Sequence, residues 1–422
     1  VFIPHLTSLP KGFASVHKEF KRLHAEPLGW YGFHANLPFF PAYYNARGAT
    51  PRKLEDRWRG TVEGGGPRKP TWDSSGLRVL SLNEASRTYH MPQHFLSDTR
   101  PQMIDWLQGR GLPASQQQID ELSLPQRRGT KWERQVMPTL RMLMRDLVVL
   151  RRAAHLLGEP VYLFGDDFKD WFNHVVNAAE ELAKHNVIWI ADPGDLDTPS
   201  AVRNNAGEML FISEERMGFG VHPNSGIAQE LAEALLHVFR RRVDAVEDEL
   251  LRSDARPAAQ QWLRERSALE ARKGGHQRRL YSIHCYCDDS ITAVVGAERA
   301  LRLLKEWRRI TQESGIIMAI PEKRSLGTWC LWVGILVFAT LGLVAIPKAK
   351  LLRATAALKV AVEDKLEFAI YQSLLGQLEH FRQAICSPRR TMHSLYRPMC
   401  RGGGADGLGP TDLVTCDDMM RE

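Results

Sequence analysis

Cysteine is scarce in this chain of 422 residues, which has six cysteines and no Cys-x-x-Cys pair. A secreted domain stapled by disulfides and a zinc site of the usual spacing are therefore excluded, because both need closely spaced cysteines. Reduced thiols are normal inside cells, so we expect an intracellular protein of the cytoplasm or nucleus.

A large excess of one charge is also missing. The 56 Lys and Arg exceed the 49 Asp and Glu by only seven, and 44% of the residues are hydrophobic. Such a composition excludes a fibrous or globally disordered chain. The small positive charge permits a polyanionic partner without indicating one.

Long hydrophobic runs are almost absent, with one exception. Residues 326–347, LGTWCLWVGILVFATLGLVAIP, carry no charge over roughly the length that crosses a bilayer. The alternative is a pair of buried strands with a turn at 339–342. Three glycines, two threonines and the β-branched residues favour the strands.

Apolar strands alternate with long amphipathic helices along the rest of the chain, which predicts an α+β fold. Residues 1–60, rich in proline and aromatic residues, are expected to form an irregular arm. The glycine-rich tail at 401–422 is expected to be disordered.

Two acidic pairs each follow an apolar strand, one after VYLFG and one after LYSIHCYC. The pairs are Asp166-Asp167 and Asp288-Asp289. Either pair alone is typical of a turn or a helix N-cap. Brought together from two strands, they would offer Mg²⁺ the hard oxygen ligands that it prefers, beside substrate phosphates.

Three motifs contain these pairs or lie between them in the sequence. FGDDFKDWF at 164–172 fits the pattern D-x-K-x-x-F, GFGVHPNSG at 218–226 fits an F-G loop before a long helix, and YCDD at 286–289 fits Y-x-D-D. In this order they resemble the reverse transcriptases of retroelements, and they are most similar to the DIRS-type and gypsy-type branch.

The resemblance implies a role for each acidic residue. Asp167 and Asp288 would be the catalytic metal ligands, and Asp289 would support them as a third catalytic and metal-binding carboxylate. Asp166 lies outside the family pattern and is interpreted as a solvent-facing residue at a strand end. Two Mg²⁺ ions are implied, with Mn²⁺ as a possible replacement.

The same motifs imply a substrate-binding surface. Phe172 stands where the family has the aromatic residue that excludes a ribose 2′-hydroxyl, and it would select deoxynucleotides. The other residues of this surface are Phe168, Phe219, Gly220 and Tyr286.

Two departures from the family pattern occur in these motifs. Trp171 is bulky where the family has a small residue. Pro223 lies two residues before the position of the family's proline, where Ser225 stands, so the loop can be aligned in more than one way.

Downstream, GIIMAIPEKRSLGTWCLWVGI resembles the segment that leads into the primer grip. Lys323 would be the general acid for the leaving pyrophosphate, with Arg324 competing for that position and an exposed turn lysine as the alternative. Trp332, Val333 and Gly334 match the primer-grip strand.

Upstream, RKPTWDSSGLRVLSLNEA resembles the family's fingers segment. Lys69 or Arg68 would contact the triphosphate and Asp73 would hold the strand, unless this stretch is only a basic solvated loop. LLGQLEHFRQAI at 374–385 resembles the thumb helix.

The resemblance implies a right-hand polymerase with fingers, a palm of antiparallel strands backed by helices, and a helical thumb. The expected bounds follow the motifs: fingers at 61–160, palm at 161–345 with fingers strands at 187–215, a helical surface insertion near 240–275, and thumb at 346–400. The implied reaction is RNA-directed DNA synthesis from dNTPs on an RNA or DNA template with a DNA primer, away from any membrane.

A second hypothesis remains open, because the chain departs from the family pattern. Trp171, the early Pro223 and the long insertion fit a degenerate retroelement protein that binds nucleic acid without catalysis. An RNA-dependent RNA polymerase shares the same chemistry, but Phe172 argues against it.

Overall fold

The structure, a computed structural model, describes part of the chain. The described residues are 9–25, 28–34, 46–51, 58–63, 71–72, 78–79, 136–177, 185–190, 209–218, 224–273, 278–319, 324–363, 365–385, 392, 395–396 and 413–415. The chain divides into two units, Val1–Val136 with Asp170–Leu231, and Met137–Lys169 with Ala232–Glu422.

Helices and antiparallel strands are mixed along the chain, as the α+β prediction requires. The helices are α1 Leu9–His24, α2 Leu140–Leu157, α3 Asn224–Ser253, α4 Pro257–Lys273, α5 Ala297–Glu313, α6 Lys348–Glu363 and α7 Phe368–Ala384. The strands before residue 200 are β1 Tyr31–His34, β2 Ala46–Pro51, β3 Trp58–Glu63, β4 Thr71–Trp72, β5 Arg78–Val79, β6 Val161–Asp167 and β7 Asn186–Ile190. The later strands are β8 Met209–Glu214, β9 Tyr281–Tyr286, β10 Asp289–Val295, β11 Ser325–Gly327, β12 Trp329–Trp332, β13 Ile335–Phe338, β14 Leu343–Ala345, β15 Lys365–Glu367 and β16 Leu413–Thr415.

The first unit contains an antiparallel sheet in the order β1-β8-β7. Helix α1 buries Val16, Phe20 and Leu23, which lie on one face because they follow helical spacing. The prediction of an irregular arm at 1–60 is therefore wrong where α1 and β1 to β3 form. In α1 the buried apolar residues follow the helical period.

The second unit is built on a sheet in the order β11-β6-β10-β9, in which every neighbouring pair is antiparallel. Helix α2 covers one face with Leu143, Leu147 and Leu150, which are buried at helical spacing. The helix begins after Thr139, whose side chain accepts a hydrogen bond from the Met142 amide, and it ends at Gly158 in the left-handed conformation.

Helices α3 and α4 contain the segment expected to form a surface insertion. Trp262 of α4 is fully buried and belongs to the same hydrophobic core as α2 and β6. Charged residues of this segment form ion pairs with charged residues of other elements. Arg299 and Arg302, for example, both contact Glu247 of α3 at 2.8–2.9 Å.

The uncharged run at 326–347 forms strands β11 to β14. The expected turn at 339–342 joins β13 to β14, and a further turn at Val333-Gly334 divides the first expected strand. The strand interpretation is thus confirmed. Among the described residues, no helix is long and apolar enough to span a membrane.

The region expected to be a helical thumb contains α6 and α7, which pack around Tyr371, Leu374 and Phe381. Strand β16 pairs with β15 in this region. The predicted disorder of 401–422 is therefore wrong for Leu413–Thr415, because their backbone groups pair with a neighbouring strand.

Candidate active site

The two acidic pairs meet at one end of the central sheet of the second unit. Strands β6 and β10 are antiparallel, with Asp167 opposite Asp289 and Asp166 opposite Ser290. Tyr286 pairs with Asp289, so Cys287 and Asp288 form a tight turn between β9 and β10. The prediction that two strands bring the pairs together is confirmed.

Backbone hydrogen bonds fix this end of the sheet. The Phe168 amide donates to the Asp288 carbonyl at 3.0 Å, and the Ala319 amide donates to the Asp167 carbonyl at 2.8 Å. Cys287 has a φ of 54°, an uncommon conformation for a residue with a side chain. The turn that carries Asp288 is thus held in one strained conformation by its neighbours.

Asp166 faces the protein interior, with only 2% of its surface exposed. Within the described part of the chain, neither carboxylate oxygen has a hydrogen-bond partner, and the Nε of Arg324 lies 3.8 Å from Oδ1. This distance permits attraction but is too long for a hydrogen bond. Burial raises the pKa of Asp166, while Arg308 and Arg324 oppose the rise. The interpretation of Asp166 as a solvent-facing residue is wrong, because alternation along β6 turns its side chain inward.

Asp289 contacts the turn between β12 and β13. Its Oδ2 accepts a hydrogen bond from the Val333 amide at 2.9 Å, and its carbonyl accepts one from the Trp332 indole at 3.0 Å. Of the predicted primer-grip residues, Trp332 lies in β12, whereas Val333 and Gly334 form the turn itself.

The predicted substrate-binding residues lie in different environments. The Phe168 ring is 2% exposed and stacks on Trp307 at a centroid distance of 6.0 Å, so its side chain belongs to the core. Tyr286 is 36% exposed at the end of β9. Burial, together with Cys287, raises its pKa.

Phe172 belongs to the first unit, in the short 3₁₀ helix Trp171–His174. The bulky Trp171 beside it is buried, and its indole donates to the Ala228 carbonyl at 3.1 Å. The unexpected size of Trp171 is therefore explained by packing within that unit. Asp170, which precedes Trp171, forms an ion pair with Arg22 of α1 at 2.9 Å.

Several predicted residues lie outside the described part of the chain: Arg68, Lys69, Asp73, Phe219, Gly220, Pro223 and Lys323. The residues on either side of the F-G loop are described. Asn224 at the start of α3 donates to the Gly218 carbonyl at 2.8 Å, which ties together the two ends of the loop.

Sequence reasoning missed a polar cluster at the edge of the same sheet. Ser282 donates to the Asp146 carboxylate at 2.5 Å, and His284 Nε2 lies 2.9 Å from the same oxygen. These residues line a cavity of about 250 Å³ together with Arg240 and Arg266. The sequence shows Ser282 and His284 on the same face of β9, but Asp146 lies far away in sequence, on α2.

The pKa of Asp146 reflects two opposing effects. Burial raises it, but hydrogen bonds with His284 and Ser282 outweigh burial, and the net shift is downward. Asp146 is thus stabilised as a carboxylate inside the cluster.

The acidic residues at this strand end are the candidate ligands for Mg²⁺. Among the described residues, no group of three or more His, Cys, Asp and Glu side chains is arranged to hold a metal ion. Asp167 and Asp288 lie at adjacent strand ends, and two carboxylates are the usual protein share of a magnesium site completed by substrate phosphates. The two aspartates suit Mg²⁺ in number and in donor type, and magnesium binding by them stays a prediction.

Comparison with known proteins gave matches of structure only. No protein-family model and no curated protein matches the chain. Similar solved structures include the foamy viral protease-reverse transcriptase dRH in complex with dsDNA, at a TM-score of 0.45 and 11% identity, over 92% of this chain and 44% of that one.

Two further structures of foamy viral protease-reverse transcriptase, with dsDNA and with an RNA/DNA hybrid, each give a TM-score of 0.43 at 11% identity and cover 96% of this chain. The match covers 54% and 35% of those chains. This chain therefore spans about half of these proteins or less, and the likeness concerns the fold alone.

Proposed function

We propose that this chain is an RNA-directed DNA polymerase of a retroelement, which extends a DNA primer with dNTPs along an RNA or DNA template. One observation carries the proposal. The antiparallel register sets Asp167 opposite Asp289, with Asp288 in the adjoining tight turn, so two acidic motifs distant in sequence share one strand end. The assignment to the DIRS-type and gypsy-type branch rests on the motifs alone.

The reaction joins the primer 3′-oxygen to the α-phosphorus of the dNTP and breaks the bond to pyrophosphate. Asp167 and Asp288 would hold Mg²⁺, with Mn²⁺ as a possible substitute. When bound, two such ions would activate the attacking hydroxyl and stabilise the leaving pyrophosphate. The protein positions the reactants, because phosphoryl transfer depends chiefly on alignment and charge.

The remaining predicted residues take their roles from the motifs. Lys323 would donate a proton to the departing pyrophosphate, and Lys69 or Arg68 would contact the triphosphate. Phe172 would exclude ribonucleotides. The residues proposed to contact the primer or the nascent base pair are Tyr286, Phe219, Gly220, Trp332, Val333 and Gly334.

The proposal is tested by primer extension on an RNA template with dNTPs and Mg²⁺. We expect Asp288→Ala to abolish extension, because it removes a carboxylate from the strand end. Glu249→Ala is the matched control, since Glu249 is an exposed carboxylate on α3. Equal extension by wild type and Asp288→Ala would refute the assignment.

A nucleic-acid-binding protein without catalysis is the second candidate function. It is favoured by Trp171, which is bulky where the family has a small residue, and by the early position of Pro223. Wild-type protein that binds primer-template in a salt-dependent way but never extends it would support this candidate.

A further inference from the structure

The turn between β12 and β13 has an unfavourable residue at its first position. Val333 and Gly334 have φ angles of 46° and 74°. Hairpin turns with two positive φ angles strongly prefer Asn-Gly or Asp-Gly, and a β-branched residue is an outlier there. Such a conformation persists only when contacts from outside the turn enforce it.

Two charged side chains contact this turn. Asp289 Oδ2 accepts the Val333 amide at 2.9 Å, and Lys350 Nζ donates to the Gly334 carbonyl at 2.8 Å. A Cβ added to Gly334 would overlap Lys350 Nζ, so the lysine lies directly against the turn. The Val333 amide and the Gly334 carbonyl thus each have a charged hydrogen-bond partner, and such bonds are stronger than those between neutral groups.

The partners belong to different elements of the second unit. Asp289 begins β10 and lies opposite Asp167, while Lys350 lies in the first turn of α6. The Trp332 indole adds a third contact by donating to the Asp289 carbonyl at 3.0 Å. The Val333-Gly334 turn is therefore tied both to the acidic strand end and to the helical region that follows.

We infer that Asp289 and Lys350 are positioning residues, which hold the Val333-Gly334 turn at a fixed place beside the acidic strand end. The inference rests on the proposed function, in which this turn contacts the primer strand. Asp289 then acts through a hydrogen bond to a backbone amide, whereas Asp167 and Asp288 would hold the metal. This separates the roles of the two aspartates in the YCDD motif.

The inference predicts different behaviour for two replacements of Asp289. Asp289→Asn keeps a carbonyl oxygen that can accept the Val333 amide, and Asp289→Leu does not. Both remove the negative charge, so electrostatic repulsion of nucleic acid changes equally in the two variants. Lys350→Met removes the other contact at similar side-chain length, and Lys348→Met is its exposed control on the same helix.

Two measurements test the positioning role of Asp289 and Lys350, both made without divalent metal and with EDTA present. Hydrogen exchange is followed at the Val333 amide, and affinity is measured by anisotropy for a labelled DNA primer annealed to an RNA template. We expect Lys350→Met to speed exchange and to weaken binding about tenfold relative to wild type, the loss of one charge-assisted hydrogen bond. Asp289→Leu should speed exchange and weaken binding about fivefold relative to Asp289→Asn, the loss of one neutral hydrogen bond. Lys348→Met should resemble wild type. Asp289→Asn is the reference for Asp289→Leu, because both variants lack the negative charge.

The outcomes separate this inference from the proposed function. Unchanged Val333 exchange in Asp289→Leu overturns the positioning role, as does equal weakening of primer-template binding by Asp289→Asn and Asp289→Leu. If wild-type protein binds no primer-template, the proposed function fails, and the exchange data still decide whether Asp289 holds the turn. Should Asp289→Leu not fold, Lys350→Met provides the same exchange test.

Discussion

Replacing Trp262 tests whether α4 is part of the core of the second unit. Its side chain is fully buried, its indole donates to the Arg278 carbonyl at 3.0 Å, and the Arg266 guanidinium lies 5.1 Å from the ring centroid. Truncating a buried tryptophan to alanine costs about 3–5 kcal/mol. Within that total, the hydrogen bond accounts for about 1 kcal/mol and the cation–π contact for about 0.5–1 kcal/mol.

We therefore expect Trp262→Ala to lower the free energy of unfolding of the second unit by about 3–5 kcal/mol. Trp262→Phe should cost less, because it keeps most of the apolar contact and loses the indole donor. The free energy is measured by native-state hydrogen exchange at amides of β9 and β10, which report on this unit alone.

Gln261→Ala is the control, since Gln261 is an exposed neighbour on the same helix and should change the free energy by about 0.5 kcal/mol or less. A Trp262→Ala effect as small as that of Gln261→Ala would refute the reasoning. It would mean that α4 is a surface insertion, as the charge pattern of the sequence had indicated.

Two further predictions concern a pH dependence and a substrate selection. The pKa of Asp146 lies below its ordinary value of 3.8, so its contribution to stability is complete above that pH and is lost as pH falls through the lower pKa of the folded state. In thermal unfolding, wild type should therefore exceed Asp146→Asn in stability above about pH 4 and lose that advantage in stronger acid; a constant difference would contradict this. Phe172→Ala should allow primer extension with ribonucleotides, measured beside extension with dNTPs, and unchanged sugar selection would remove Phe172 from its proposed role.

Local patterns predicted most of the elements that carry the candidate site. The apolar segment before Asp167 and the two apolar segments around Asp288 are strands, and the uncharged run at 326–347 forms short strands rather than a membrane span. These predictions succeed because strand alternation and turn composition depend on neighbouring residues. The division of the run at Val333-Gly334 was missed, since valine is rarely found in such a turn.

Long-range pairings could not be predicted in the same way. Asp166 was interpreted as exposed, yet it is buried near Arg324, and Asp146 joins Ser282 and His284 across more than a hundred residues. The buried position of Trp262 was hidden by the charged residues around it on α4. Each of these depends on which faces the fold brings into contact.

The sequence by itself determined the chemistry available at the site. It supplies two acidic pairs after apolar strands, because a carboxylate and the strand before it are local features. The tertiary structure decided how those carboxylates are used. The antiparallel register sets Asp167 opposite Asp289, pleating turns Asp166 into the core, and Asp289 contacts the turn at Val333. These differences arise because strand register and side-chain direction are fixed by pairing between segments far apart in the chain.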